Sequence, residues 1–457
     1  MSVNAGARLD RLPICSFHRR ILTLIGIGMF FDGFDVYVAA TVLGATLKTG
    51  FSTLAQNALF VSVTFVGMML GSFVTGFLGD RYGRRFTYQA NLIIFGLASI
   101  AGAFAPTMLV LILCRGVMGL GLGAELVVGY AAMTEFVPPQ ARGKWVGALS
   151  VFVVTSLPLS ALGSTLIIPR SSWRVMFVLA GLGGLIVWYL RKALPESPRW
   201  LESVGRTEEA DAILQSIEHE AELQRGTLPA AILAKPTPAT RTTLALLNPP
   251  LLSRLIVGVV TLIVANTLIY GFVTWLPTFF VTQGRSIASS FLYSFIMSAG
   301  APVGSAIGML TADSWGRKTV IIGASVMTIL LGGIYPFIAN PVFLLMAGFL
   351  LVVSIYIQVT LLFAIYVPEL FPTDVRMRAA GICNTAGRAA TMITPFFVVA
   401  LLRSYGIGGV LAMIIGFLLV QIIVVLLLGV EPRKRRLEEM DSASVTAPAA
   451  AQELESI

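Results

Sequence analysis

Five ionisable side chains lie in stretches otherwise made of apolar residues: Asp32, Asp35, Arg115, Glu125 and Arg388. If those stretches cross a bilayer, a charge at mid-depth costs about 2.5–3.5 kcal/mol even on a lenient insertion scale, so each group must face a cavity or a partner. Asp32 and Asp35 are spaced i, i+3 and share one helix face. Counted at 1.5 Å per residue from the outer helix ends, Asp35 lies roughly 18 Å deep and Arg115 roughly 12 Å, within reach of each other if their helices are neighbours. Two readings stay open for that pair: a proton-coupling site, in which protonating the carboxylate releases the arginine, or a permanent structural ion pair. Asp32 is the alternative principal proton site. Glu125, nearer the inner side, offers an inner proton acceptor or a substrate ligand, or else a lone buried glutamate bonded to backbone. Arg388, roughly 14 Å in from the inner end of its helix, carries a planar fork that matches a carboxylate. The competing reading pairs it with Asp32, Asp35 or Glu125 across the two halves of the chain. Asn384 shares its segment. Tyr270, Trp275, Tyr293, Tyr356 and Gln358 supply ring faces, hydroxyls and an amide suited to an aromatic or hydroxylated organic acid, or else serve as packing and interface anchors. Both histidines, His18 and His219, fall outside the apolar runs, so proton transfer within the membrane relies on carboxylates.

The scaffold that holds these groups in place follows from composition. The 457 residues are 56% hydrophobic and 12% charged, where a soluble domain carries about 25% charged residues. A single soluble globule is excluded, and at roughly 20 apolar residues per crossing the chain can supply about a dozen transmembrane helices. A porin-like barrel would need short alternating segments instead. The apolar runs predict helices over 21–47, 54–78, 86–105, 107–132, 144–168, 173–192, 252–280, 287–311, 319–338, 342–367, 379–402 and 407–429. The predicted fold is an all-α polytopic membrane protein, with twelve transmembrane helices in two parallel six-helix repeats. Its parts are a cytoplasmic N-terminal segment (1–20), a first bundle (21–192), a cytoplasmic linker (193–250) with an amphipathic helix over Thr207–Gln224, a second bundle (251–430) and a disordered cytoplasmic tail (431–457). The first apolar run is too long for a signal peptide and has no small-residue cleavage site.

The net charge of +9 could suggest a nucleic-acid partner, but the placement of Lys and Arg accounts for it. With a cytoplasmic N-terminus, the outer segments hold only Lys48, Arg170, Arg174, Arg285 and Arg403, and apart from Arg115 and Arg388 the rest, Arg191 included, fall on the inner side. That bias puts both termini in the cytoplasm, in contact with the lipid bilayer and with no nucleic acid. Cys15, Cys114 and Cys383 offer no disulfide framework and no metal cluster.

Two motifs repeat. Asp80-Arg81-Tyr82-Gly83-Arg84-Arg85 recurs as Asp313-Ser314-Trp315-Gly316-Arg317-Lys318, and Glu135-x-x-Pro138-x-x-x-Arg142 recurs as Glu369-x-x-Pro372-x-x-x-Arg376, the two spacings agreeing to within one residue. A tandem duplication of six helices follows, the arrangement in which rocking halves hold a midplane binding site. In each turn, Gly83 or Gly316 lets a short loop reverse while the Asp and the basic pairs (Arg84 and Arg85, Arg317 and Lys318) link helix ends. The functional reading is a cytoplasmic gate latch, with Glu135, Arg142, Glu369 and Arg376 in the same network; the plainer reading is positive-inside anchoring.

These turns, together with Arg115-Gly116-Val117-Met118-Gly119-Leu120-Gly121-Leu122-Gly123, Glu135-Phe136-Val137-Pro138, Pro195-Glu196-Ser197-Pro198-Arg199 and Glu369-Leu370-Phe371-Pro372-Thr373, resemble the major facilitator superfamily over residues 20–430. The resemblance implies an alternating-access carrier that hydrolyses no ATP. The Pro-Glu-Ser-Pro-Arg stretch is similar to sugar porters, and likeness to proton-coupled sugar porters puts Asp35 and Arg115 in the roles of paired acid and arginine. However, Val151–Ile168 and Asn266–Tyr270 lack the glutamines expected for sugar contacts. Asp32-Gly33-Phe34-Asp35, Trp275-Leu276-Pro277-Thr278 and Gly387-Arg388 resemble aromatic-acid/proton symporters and niacin-type metabolite carriers. The expected function is proton-coupled uptake of a small organic anion across an inner membrane by a monomer, with Arg388 on the carboxylate, a helix-one acid on the proton, and no cofactor or metal. The rivals are a proton/sugar symporter and a non-transporting nutrient sensor. An enzyme is disfavoured, since the interior offers no histidine, metal cluster or nucleophile–base set.

Overall fold

In a bilayer every backbone N–H and C=O must be satisfied within the protein, and a single apolar run of about twenty residues does that as a helix. The computed structural model, which describes residues 3–230, 243–249, 251–371 and 375–431, is helical, with no strand among the described residues. The short α1 (Ala5–Asp10) precedes α2 (Ser16–Lys48), α3 (Leu54–Tyr82), α4 (Arg84–Ala103), α5 (Met108–Phe136), α6 (Pro139–Ile167) and α7 (Arg174–Leu190). Then come α8 (Pro198–Ser203) and α9 (Thr207–Arg225), followed by α10 (Leu251–Gly271), α11 (Leu276–Thr282), α12 (Ile287–Ser298), α13 (Gly300–Trp315), α14 (Arg317–Ile334), α15 (Pro341–Thr360), α16 (Val367–Glu369) and α17 (Arg376–Leu428).

Among the described residues, ten helices are long and apolar enough to cross a membrane, and Met108–Gly123 is a shorter apolar stretch within α5. The long α17 holds two spans joined at Gly406, whose φ of 63° interrupts it. Each of the twelve expected spans is thereby matched by helix. The ends differ: α2 starts at Ser16, α5 runs to Phe136 and α6 starts at Pro139, because backbone bonding carries a helix past its last apolar residue. Two interruptions have local causes. Pro277 removes an N–H and crowds the carbonyl four residues earlier, and Val273–Trp275 tightens into a 3₁₀ turn between α10 and α11. Pro368 acts the same way after α15, where Leu361–Tyr366 widens into a π turn.

The contacts divide into two units, Met1–Pro236 with Thr274–Ser298, and Thr237–Val273 with Ala299–Ile457. The sequence boundary at 251 gives α11 and α12 to the second bundle; by contact they pack on α2 and α6 of the first. In each unit one seam is built on glycine. A Cβ on Gly71 of α3 would overlap the Leu120 carbonyl of α5, and a Cβ on Gly304 of α13 would overlap the Val353 carbonyl of α15, so these backbones meet directly. The amphipathic helix of the linker forms as α9, and α1 packs against it. The tail after Glu431 lies outside the described residues.

Candidate functional site

The first unit brings Asp35 and Arg115 together. Asp35 projects from α2 and Arg115 from α5, both fully buried, and the Arg115 Nη1 donates to Asp35 Oδ2. Arg115 Nη2 also donates to the Asp35 carbonyl at 3.3 Å and its Nε to Thr64 Oγ1 of α3 at 3.1 Å. Ser99 of α4 donates to Asp35 Oδ1 at 3.5 Å, and the Phe60 ring lies 5.2 Å from the guanidinium carbon. One negative and one positive charge cancel here, with neutral donors around them.

Nearer the Gly83 end of the unit lies a second constellation. The charge pattern of the sequence places Arg191 among the inner-surface groups, whereas the structure buries it at 1% exposure and pairs it with Glu125, its Nη1 donating to Glu125 Oε1. Arg191 Nε reaches the Leu24 carbonyl at 3.1 Å and Nη2 the Ile25 carbonyl at 2.8 Å. The Tyr88 ring of α4 covers the guanidinium at 4.9 Å. Glu125 is therefore held by an arginine and not by backbone. The guanidinium lies across α2 at Gly28, where a Cβ would overlap Nη2. One turn further along α2 is Asp32, 3% exposed, with both carboxylate oxygens lacking a hydrogen-bond partner among the described residues. It lies within electrostatic reach of Glu125 and Arg191. Arg191 escapes a reading of the sequence because it sits beside Lys192 and Arg199 at a helix end; the buried Glu125, needing a cation, is the signal that points to it.

In the second unit Arg388 sits half-buried on α17, one helical turn beyond Asn384 and within electrostatic reach of Tyr270 on α10. The two helices approach so closely that a Cβ on Gly387 would overlap the Asn266 amide. Asn266, one turn before Tyr270, thus joins a polar face that the sequence pattern does not single out. Gln358 stands apart. It is fully buried, accepts from Ser325 at 3.1 Å and Gln421 at 2.8 Å, and donates to Thr328 at 3.3 Å. Its amide completes an interior network, and Tyr356 is buried where α15 meets Gly304. Trp275 and Tyr293 belong to the packing of the first unit. Tyr293 stacks under Arg285 at 4.7 Å and accepts its Nη1 at 3.3 Å, the anchoring role among the two read from sequence.

The repeated turns are built alike. Gly83 and Gly316 adopt φ of 95° and 89°, values that L side chains rarely take. Glu196 accepts from Arg85 N at 3.1 Å, and Glu431 accepts from Arg317 N at 3.0 Å and Lys318 N at 2.8 Å. Each turn is thus capped by a carboxylate from beyond the last span of its repeat, a correspondence outside the two repeated motifs. Arg85 Nη2 reaches the Lys192 carbonyl at 2.8 Å and Lys318 Nζ the Leu426 carbonyl at 3.0 Å. Arg317 grips Glu369 at 3.0 and 3.3 Å, while the Glu135 carbonyl accepts from Arg199 at 3.0 Å. Arg81 is exposed and lies over Tyr82. The side chains of Asp80, Arg84, Arg142, Asp313 and Arg376 lie outside the described residues.

Comparison with known proteins decides the family. The profile described as "Sugar (and other) transporter" matches residues 22–443. The chain belongs to this family. It is a major facilitator superfamily transporter, a multi-pass membrane protein whose relatives are transporters and not enzymes. It is 36% identical over 447 residues to the inner membrane metabolite transport protein YdjE of Escherichia coli, covering 96% of this chain and 98% of that one. It is 30% identical over 441 residues to the niacin transporter NiaP of Acinetobacter baylyi, covering 95% and 99%. A partially occluded, inward-open structure of the xylose transporter XylE from E. coli shares the fold, with a TM-score of 0.71 at 17% identity, covering 92% of this chain and 100% of that one.

Proposed function

We propose that this transporter is a proton-coupled importer of a small organic anion, an aromatic or hydroxy carboxylate, working by alternating access as a monomer in an inner membrane with both termini cytoplasmic. The observation that carries the anion is Arg388, a guanidinium on a membrane helix among the neutral polar groups Tyr270, Asn384 and Asn266. A carboxylate matches the planar fork through two parallel charge-assisted bonds, whereas a neutral sugar offers it no charged acceptor. The niacin-transporting relative supports the same chemistry, since niacin is a pyridine carboxylate. The helix-one acids Asp32 and Asp35, with Arg115 and Glu125, handle the proton, and the capped turns at Gly83 and Gly316 act as gate latches.

A proton/sugar symporter is the second reading, favoured by the Pro195–Arg199 motif and the Asp35–Arg115 pair. Counterflow in proteoliposomes with labelled benzoate-like acids and hexoses separates the two. Exchange of the aromatic acid is expected, and Arg388→Ala should weaken it roughly tenfold to a hundredfold, the equivalent of about 1.5–3 kcal/mol for a charged hydrogen-bonded contact. Saturable hexose uptake insensitive to Arg388→Ala would overturn the anion reading.

A further inference from the structure

We propose that Asp32, Glu125 and Arg191 form one buried proton-binding site that holds a single exchangeable proton, carried by Asp32 in this arrangement, with Arg191 as the cation the two carboxylates share. Charges buried this deeply must balance. In this arrangement Asp35 and Arg115 are neutral as an ion pair, and Asp35 takes up a proton only when Arg115 is released from it. The inner cluster has two carboxylates and one guanidinium, with exposures of 3%, 1% and 1% for Asp32, Glu125 and Arg191. Fully ionised, it would bury one uncompensated negative charge, and a buried carboxylate without a counter-charge takes up a proton instead. Glu125 already holds the guanidinium, whereas neither oxygen of Asp32 has a hydrogen-bond partner among the described residues. The proton therefore belongs to Asp32.

The same geometry lets it move. Arg191 lies over Gly28, one helical turn from Asp32, and Glu125 Oε2 is also unpartnered among the described residues. If Nη1 leaves Glu125 for Asp32, the O–H bond on Asp32 breaks, one forms on Glu125, and the cluster keeps both its charge and its proton. Arg191, Tyr88, Arg85 and Ser197 line a small cleft beside the guanidinium. Among the described residues, the charged and titratable groups in reach of Asp32 are Glu125 of α5, Arg191 after α7 and Asp35 of its own helix. Tyr88 of α4, which covers Arg191, is in turn within reach of Glu135 and Glu196.

The role of this proton in transport rests on the coupling proposed above; the proton count does not. Infrared difference spectroscopy of the full-length protein in detergent at neutral pH reads the count through the carbonyl band of a protonated carboxyl group. One such band is expected in the wild type. It should vanish in Asp32→Asn, which leaves the neutral Glu125–Arg191 pair, and in Glu125→Gln, which frees Arg191 for Asp32. In Arg191→Gln it should double, and if that variant does not fold, the two isosteric amide variants are sufficient to test the site. A band that survives unchanged in both Asp32→Asn and Glu125→Gln overturns the site. Accumulation driven by a pH gradient in proteoliposomes should fall tenfold or more in Asp32→Asn. Loss of the band with accumulation kept would retain the proton site and overturn the coupling.

Discussion

At Gly28 the space of a missing side chain is filled by the guanidinium of Arg191, which donates from there to two carbonyls of α2 and to Glu125. A methyl group at this position must push the guanidinium away from all three acceptors. Gly28→Ala is expected to destabilise the purified protein by about 1–3 kcal/mol, the usual cost of overpacking a filled interior, seen as a lower thermal midpoint. In an Arg191→Ala background the same change should cost little, because the overlap is gone, so a double-mutant cycle separates this contact from a general helix effect. The five intramembrane charges are legible in the sequence as residues in need of partners, and geometry along the helices brings Asp35 and Arg115 to comparable depth. The partner of Glu125 is not legible, because an arginine at a helix end can extend outward or fold inward along its apolar stem, and only the packing around Gly28 settles which.

At the scale of elements, the two repeats use one device to start their third helix. A carboxylate from beyond the last span of each repeat accepts the first free N–H groups of α4 or α14, where the helix dipole also favours an anion. Glu196→Ala and Glu431→Ala are each expected to cost about 0.5–2 kcal/mol, measured by thermal unfolding, and to do so in similar amounts. A neutral Glu431→Ala beside a costly Glu196→Ala would deny that the caps are equivalent. The apolar runs set the number and order of the helices because a bilayer admits little else, while helix ends shift by several residues. Hydropathy stops at the first charge, but backbone bonding and capping stop where a carboxylate, a glycine or a proline intervenes, as at Gly83, Gly316 and Pro277.

Over the whole molecule, segments far apart in sequence are tied at one end of the first unit. Arg8 reaches Glu218 at 3.0 and 2.6 Å and Asp211 at 2.6 Å, Arg11 reaches Glu218 at 2.7 Å, and Arg199 reaches Asp10 at 2.6 Å. Burial works to raise the Glu218 carboxyl, but the bonds and charges of Arg8 and Arg11 outweigh it and hold it below the usual range. A depressed carboxyl stabilises the docked state above its unfolded value, 4.5, and that contribution is lost as the pH falls through the lower folded value. Hydrogen-exchange protection at residues 5–10, taken relative to the intrinsic rate at each pH, should therefore hold from neutral pH down to about 4.5 and fall below it. In Glu218→Gln the protection should be lower throughout and largely indifferent to this pH range. Apolar run length, the bias of Lys and Arg and two repeated motifs are local or periodic properties, and they suffice to make this protein a duplicated helical membrane protein before any contact is known; its likeness to the major facilitator superfamily makes it a carrier. Tertiary packing was needed to assign α11 and α12 to the first unit, to make Gln358 an interior hydrogen-bond partner and to give Arg191 to Glu125. Each of those depends on which side chains from distant segments fill the same space, a condition that no single stretch of sequence carries.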